Sequence, residues 1–405
     1  MKKGYLSEYF VDIASKRLSA VEAHPHRSNQ HEFDGVNLLK KMFGTGTEKQ
    51  RFEATFIYLC DDDPEPIRED GFLTWYDARK AHPTRSEYRL YFPTTTVSDN
   101  ANEGDLLVIG RRPDDTIIVI ISESGSTMEN QILWLFGITD MTHPGFSVKG
   151  KIESDQVKLE FASKYILEQI GVEVEEVNES YLEQMLSMFK GTFPSTKIFS
   201  TFARSTVKEI NVQDNADDVI IAWIEREEIL FRTLERHLIG DRLRDGFRDD
   251  VDSFITFSLS VQNRRKSRAG NSLENHLEYL FMERHIKHRR AATTEGRSKP
   301  DFLFPGIEEY HSPNFPATYL TMLGVKSTCK DRWRQILAEA DRIGTKHLFT
   351  LEPSISENQT NEMQAKKVQL VLPQSIHQSY TATQQKRLLS LNEFISQVES
   401  KQKCS

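Results

Sequence analysis

In the first third of the chain, apolar residues come in short runs broken by turn-forming clusters. Such runs span Ala54–Cys60, Phe72–Tyr76, Tyr88–Phe92, Asp105–Gly110, Thr116–Ile121 and Gln131–Phe136, each long enough for one strand and too short for a typical helix. Gly110-Arg-Arg-Pro-Asp-Asp115 is rich in turn residues and suits a hairpin between two of them. Helices are expected at Tyr5–Arg17 and Gly35–Phe43. Six strands with few helices predict a small β-barrel or sandwich.

From about Ala162 the spacing becomes helical. The acidic run from Gly171 to Ser180 reads as an exposed connector. Between Asp217 and Leu243, the residues Ile220, Trp223, Ile224, Leu230, Phe231 and Leu234 mark a buried helical stripe. A second helix is expected over Ser272–His285, capped by Ser272, with Leu273, Leu277, Leu280 and Phe281 at i, i+4, i+7 and i+8. The basic segment before it, Asn263–Gly270, reads as a turn-prone lead-in.

A length of 405 residues favours two domains. The apolar share of 38% and charged share of 28% describe a soluble globular chain. No apolar run approaches the roughly 18 residues of a membrane span. The N-terminus lacks the apolar core of a signal peptide. Three scattered cysteines fit a reducing cytoplasm. The net charge of -8 argues mildly against a nucleic-acid partner, but Asn263–Pro300 holds ten Lys/Arg against four Asp/Glu.

Candidate chemistry concentrates in Lys299–Ala340. Asp301 follows Pro300 and opens an apolar run. Lys326 ends a second strand, Tyr319–Val325. A helix expected from Asp331 carries Glu339, with Trp333, Ile336, Leu337 and Ala340 buried. Phosphodiester hydrolysis needs a hard cation on oxygen ligands, an oriented water and neutralisation of developing charge. Asp301 and Glu339 are the candidate metal ligands, helped by a backbone carbonyl of Val325 or Lys326, and Lys326 is placed for the water and the phosphate. Glu274 is either a fourth acid leaning over the site or a residue favouring a helix N-terminus. Arg264, Lys266 and Arg268 in the basic lead-in suit phosphates.

Two polar loops are candidates for reading bases. One runs from Lys16 and Arg17 through His24, His26, Arg27, Ser28, Asn29 and Gln30 to His31. The other holds Arg79, Lys80, His82, Arg85, Glu87 and Arg89. Solvated loops are the plain alternative, and a core position is the plain alternative for Trp223, whose ring could otherwise stack on an extruded base.

The blocks Asn263–Phe281, Thr294–Pro305 and Val325–Asp341 closely resemble the catalytic domain of EcoRII-type restriction endonucleases, a branch of the restriction-endonuclease-like superfamily with a PD-(D/E)xK core. The similarity continues through His347–Leu351 and Val368–Pro373 to the C-terminal helix. More distantly, Lys16–Ala20, Gln30–Phe43, Trp75–Arg79 and Thr84–Arg89 resemble that family's effector domain, a DNA-binding pseudobarrel. The resemblance implies a catalytic set of Asp301, Lys326 and Glu339 with Glu274 as auxiliary acid. The general superfamily pattern has an acid two residues before the lysine. That position is Gly324 here, and in this branch the acid comes from the later segment, at Glu339. Lys330, Asp331 and Arg332 match the segment that reads C·G pairs, implying a CC/GG-containing site of the kind 5′-CCWGG. Members of the branch extrude the central bases, and Trp223 and Arg226 lie where such a pocket is expected.

The expected architecture is an effector pseudobarrel over 1–163, a linker over 164–191 and an α/β endonuclease domain over 192–405. The expected function is Mg²⁺-dependent, sequence-specific hydrolysis of double-stranded DNA by a cytoplasmic, prokaryotic homodimer. The resemblance also implies an N-terminal domain that binds an effector copy of the site and can block the catalytic cleft. The competing readings are a DNA-binding regulator with a decayed nuclease core and a repair or modification-dependent nuclease. No GxxxxGK[ST] phosphate loop occurs, so no ATP-driven motor is expected.

Overall fold

A computed structural model describes residues 6–24, 31–46, 48–62, 65–82, 84–138, 146–149, 161–172, 181–208 and 210–404. The chain divides into two compact units. One comprises Met1–Val174 with Pro353–Asn358, the other Glu175–Glu352 with Gln359–Ser405.

The first unit is built on an eight-stranded sheet: β1 (Asp12–Arg17), β2 (Glu32–Asp34), β3 (Gln50–Leu59), β4 (Ile67–Asp77), β5 (Tyr88–Tyr91), β6 (Leu106–Arg111), β7 (Ile117–Ser122) and β8 (Ser147–Lys149), in the order β2-β5-β4-β3-β7-β6-β1-β8. Only the β3–β7 pair is parallel. Successive side chains of a strand point to opposite faces, and here both faces are covered. Leu106, Val108, Ile118 and Ile120 pack on one side, Leu107, Ile109, Ile117 and Val119 on the other. That explains why β6 and β7 read as unbroken apolar runs rather than as alternations. Helix α1 (Asn37–Phe43) packs Leu39 and Met42 into one layer. Helices α2 (Thr127–Leu135) and α3 (Phe161–Gln169) pack Met128, Ile132, Ile166 and Leu167 into the other.

Two sequence expectations fail in this unit. Tyr5–Arg17 is not a helix: after a short 3-10 turn at Leu6–Glu8, Asp12–Arg17 pairs with β6 along its length. Gln131–Phe136 is not a strand but the end of α2, whose N-cap Ser126 accepts a hydrogen bond from the Glu129 amide. Within the expected linker 164–191, a helix around Tyr181–Phe189 packed on one of the domains is compatible with the sequence, and one is present. The end of α3 lies in the first unit's core, and α4 (Leu182–Phe189) buries Met185 and Phe189 in the second unit.

The second unit has a helical layer and a five-stranded sheet. Helices α4, α5 (Thr196–Ser205) and α6 (Ala216–Asp245) share one core, with Phe199, Phe202, Leu230 and Leu234 at its centre. Helix α7 runs unbroken over Val251–Glu283, capped by Asp250. This corrects the expected start at Ser272 and the expected basic lead-in: Asn263–Gly270 is helix interior, and Ser272 is buried within it. The sheet comprises β9 (Arg289–Arg290), β10 (Phe302–Phe304), β11 (Thr321–Val325), β12 (Lys346–Phe349) and β13 (Val368–Val371), in the order β13-β12-β11-β10-β9. β11, β12 and β13 are parallel, while β10 runs antiparallel to β11. Phe281 of α7 meets the rings of Phe302 and Phe304 edge-on at 5.3 Å. The C-terminal helix α8 (Leu391–Cys404) places Phe394 against Phe304. Among the described residues no helix is long and apolar enough to cross a membrane.

Candidate active site

Asp301 immediately precedes β10, and Lys326 immediately follows β11. Because these strands are paired neighbours, the two side chains meet at one end of the sheet. The Asp301 carboxylate accepts from the Val325 amide at 2.6 Å and from Lys326 Nζ at 3.2 Å. The Lys326 amide donates to the Phe349 carbonyl of β12 at 3.0 Å. Both residues are therefore set by sheet backbone rather than by a loop.

Glu339 arrives differently from the expectation. Lys330–Ala338 is a 3-10 segment, not an α-helix, and Glu339 lies just past its end in extended conformation. An α-helix through this segment would set Arg332 and Glu339 on one flank; a 3-10 segment that ends before Glu339 does not. The buried residues Trp333 and Ile336 are three apart, a spacing shared by both helix types, so periodicity could not separate them. Ile336 also explains the missing superfamily acid: a Cβ on Gly324 would stand 2.7 Å from Ile336 Cγ2. The segment that brings Glu339 packs on the backbone where that acid would stand.

Glu339 Oε2 is buried without a hydrogen-bond partner among the described residues. Burial, and then the charge of Asp301, push its carboxyl up to about 7, against the opposing pull of Lys326 and Lys346. A buried carboxylate whose ionisation a neighbouring carboxylate opposes is the arrangement a cation relieves. Glu274, on α7, is also raised by burial, with a further contribution from Asp301. Its carboxylate is held by Arg290 of β9 at 2.7 Å, and the same guanidinium reaches Glu278 at 2.9 Å and Asn275 at 2.9 Å. Sequence reasoning missed Arg290. Because Glu274 lies deep inside α7, its bland reading as a helix N-terminal charge fails.

No group of three or more His, Cys, Asp or Glu poised for a metal exists among the described residues. Asp301 and Glu339 nevertheless fit a small hard cation, which takes one or two carboxylates and keeps several waters. The orphaned Glu339 oxygen is the observation behind that fit.

The other expected residues are dispersed. Arg332 is exposed on the 3-10 segment, and the side chains of Lys330 and Asp331 lie outside the described residues. Arg268 is corrected: it is 9% exposed, ion-paired with Glu228 and set over the Phe231 ring, so it braces α6 against α7 rather than facing a phosphate. Arg264 lies over the Phe193 ring, while Lys266 is exposed. Trp223 is buried against His276 and Tyr279. Arg226 donates to Thr206 at 2.8 Å and covers Tyr181.

In the first unit, Lys16 and Arg17 belong to β1, not to a loop. Lys16 pairs with Glu22 at 2.5 Å, and Arg17 with Glu129. Residues His26 to Gln30 lie outside the described residues. Glu87 pairs with both Arg79 and Arg89, Arg89 also reaches Asp34, and Arg85 is exposed.

The family model described as EcoRII C terminal matches residues 231–395, the part holding all three catalytic candidates. The chain is 30% identical over 132 residues to the type II restriction enzyme SsoII of Shigella sonnei, covering 30% of this chain and 42% of that one. Among solved structures, metal-depleted Ecl18kI in complex with uncleaved DNA is 20% identical, covering 56% of this chain and 86% of that one with a TM-score of 0.45, too slight a likeness to bear on function. The type II restriction enzyme EcoRII of Escherichia coli is 35% identical over 394 residues, spanning 96% of this chain and 94% of the relative. Identity at that level, sustained through both structural units, places the chain in the EcoRII family of type II restriction enzymes.

Proposed function

We propose that the chain is a Mg²⁺-dependent, site-specific deoxyribonuclease that cuts both strands of a CC/GG-containing site such as CCWGG. The observation that carries this reading is the uncompensated Glu339 carboxylate beside the Asp301–Lys326 pair. A decayed nuclease would have no reason to keep that costly juxtaposition. Bound between Asp301 and Glu339, the cation would polarise the phosphate and lower the pKa of a water. Lys326, held against Asp301, orients the attacking water and offsets charge on the phosphoryl oxygens. The water oxygen bonds to phosphorus in line with the departing 3′-oxygen. The attacking water releases a proton to solvent, the P–O3′ bond breaks, the departing oxygen takes a proton from another water, and 5′-phosphate and 3′-hydroxyl ends result. Arg290 fixes Glu274 at the edge of the site.

In the same reading, Lys330, Asp331 and Arg332 read C·G pairs, since Asp accepts from cytosine N4 and Arg or Lys donates to guanine O6 and N7. A two-fold site calls for two copies of the chain, one cleft per strand. The second unit is the PD-(D/E)xK core. The first is the effector pseudobarrel, meeting a second DNA copy through Arg17, Arg85, Glu87 and Arg89 and restraining cleavage until it does. A base pocket at Trp223 and Arg226 would require their present packing to open. Such an enzyme acts in the cytoplasm, where DNA resides.

The test is digestion of methylated and unmethylated plasmid with Mg²⁺, followed by sequencing of the ends. Discrete cuts at one site, lost in Asp301→Asn, are expected. Random cleavage by pure protein, or full activity in Asp301→Asn, would overturn the reading.

A further inference from the structure

The turn that delivers Glu339 is not held by its own segment. Ala340, next in the chain, has φ +50°, a left-handed conformation that a residue with a Cβ adopts only when its surroundings impose it. What imposes it is visible. Lys346, the first residue of β12, is 7% exposed and directs its ammonium at two backbone carbonyls, that of Glu339 and that of Ala340, the latter at 2.6 Å. Burying an ammonium costs several kcal/mol unless it is well satisfied. A buried lysine committed to the backbone carbonyls of an acid and of the residue after it is therefore an expensive arrangement.

Further ties close the turn from the other side. Ser298 donates to the Ala338 carbonyl at 3.1 Å, and the Asp341 amide donates to Glu295 at 3.3 Å. Ser298 lies three residues before Asp301, so the stretch delivering one carboxylate is fastened to the turn delivering the other. Arg342 extends the anchoring to the carbonyls of Tyr310, Ser312 and Phe315.

We propose that Lys346 is a positioning residue that fixes the Glu339 carboxylate for cation binding by clamping the carbonyls of Glu339 and Ala340 to the edge of β12. The inference rests on the reading of Glu339 as a ligand. Lys346 acts through the backbone carbonyls of Glu339 and Ala340 and not on the reacting atoms. Its contribution is to make the left-handed turn the sole conformation, so that Glu339 Oε2 stays aimed beside Asp301 rather than swinging to solvent. Residues that orient a metal ligand from behind change metal affinity or activity by about 10- to 100-fold when replaced, and that is the effect assigned here.

The test uses the full chain on uncleaved cognate DNA, with Mn²⁺ as the probe and its free signal read by electron paramagnetic resonance. Lys346→Met should weaken Mn²⁺ binding by about 10- to 100-fold, with DNA affinity in the absence of metal unchanged and cleavage recovering at high metal. Lys346→Arg should restore part of the loss. Mn²⁺ affinity within twofold of the parent in a folded Lys346→Met protein would overturn the inference. If that variant does not fold, Ser298→Ala, which removes an exposed hydroxyl tie to the same turn, must show the same shift at smaller size, and no shift counts against it. Glu339→Gln separates the two ideas. If it keeps full Mn²⁺ affinity, the reading of Glu339 as a ligand fails. If it loses affinity and Lys346→Met does not, only the positioning role fails.

Discussion

In the eight-stranded sheet the charged side chains answer one another. Arg17 meets Glu129, Lys16 meets Glu22, and Arg89 bridges Asp34 and Glu87. At the end of the five-stranded sheet, Glu339 keeps a buried oxygen unanswered while Asp301 raises its cost of ionisation. Both places bury a carboxylate, but Glu129 faces a guanidinium, whereas Glu339 faces a second carboxylate and keeps one oxygen without a partner among the described residues. A compensated buried acid supports the fold, whereas an uncompensated one lowers stability and persists where a ligand completes it.

The sharpest way to break this contrast is to neutralise one acid from each region. Glu339→Gln should reduce cleavage by about a thousandfold or more, a loss of about 4 kcal/mol of transition-state stabilisation, while leaving the metal-free melting temperature equal or higher. Glu129→Gln should do the reverse, destabilising the first unit by about 1–3 kcal/mol through the loss of charged hydrogen bonds with little direct effect on the cut. Calorimetry and a plasmid assay on the same preparations decide it. If Glu339→Gln lowers stability as much as Glu129→Gln, the contrast is wrong.

Next in size is Gly324→Glu, which installs the acid of the general superfamily pattern. The new Cβ would collide with Ile336, so overpacking should cost about 1–3 kcal/mol and displace Glu339, lowering cleavage despite the added carboxylate. Improved cleavage would show that the position is open to an acid.

A smaller effect is expected from pH. With Glu339 at about 7 in the folded chain and ordinary carboxylates near 4, the folded state holds the extra proton across that window. The contribution of Glu339 to the stability of the metal-free protein should therefore fall as pH rises from about 4 to about 7 and level off above it. Melting curves in chelator should show this slope as the difference between the parent and Glu339→Gln. A divalent cation should stabilise more at pH 8 than at pH 5.

The smallest is Arg85→Ala. This exposed side chain should change stability by less than about 0.5 kcal/mol. It should weaken binding of a second DNA copy and make that binding less dependent on salt. Unchanged salt dependence would remove Arg85 from the proposed effector surface.

Much of the sheet scaffold is legible in the sequence alone. β3, β4, β6 and β7 follow from short apolar runs bounded by turn residues. The stretch around Gln131 was misread because a short apolar run fits a buried strand or a buried helix turn. The discriminating signal was Ser126 followed three residues later by Glu129, the spacing of a capped helix start. Asp301, Lys326 and Glu339 are candidates on their chemistry and the family resemblance, and the structure brings Asp301 and Lys326 into contact. Arg290 and Lys346 are not legible in the sequence, because each acts through partners that only the folded sheet brings near. A lysine heading His347–Phe349 looks like a solvated strand end until Glu339 and Ala340 are folded over it.

The 3-10 character of Lys330–Ala338 makes that segment a ruler. Nine residues at about 2.0 Å each reach about 18 Å, whereas an α-helix of the same length reaches about 13.5 Å. In the proposed enzyme, one end touches base pairs and the other delivers Glu339, so helical pitch sets how far along the duplex the cut falls from the bases that are read. A variant in which this segment relaxed to an α-helix would retract its acid by about 4.5 Å. It could read the same sequence and still be unable to cut it.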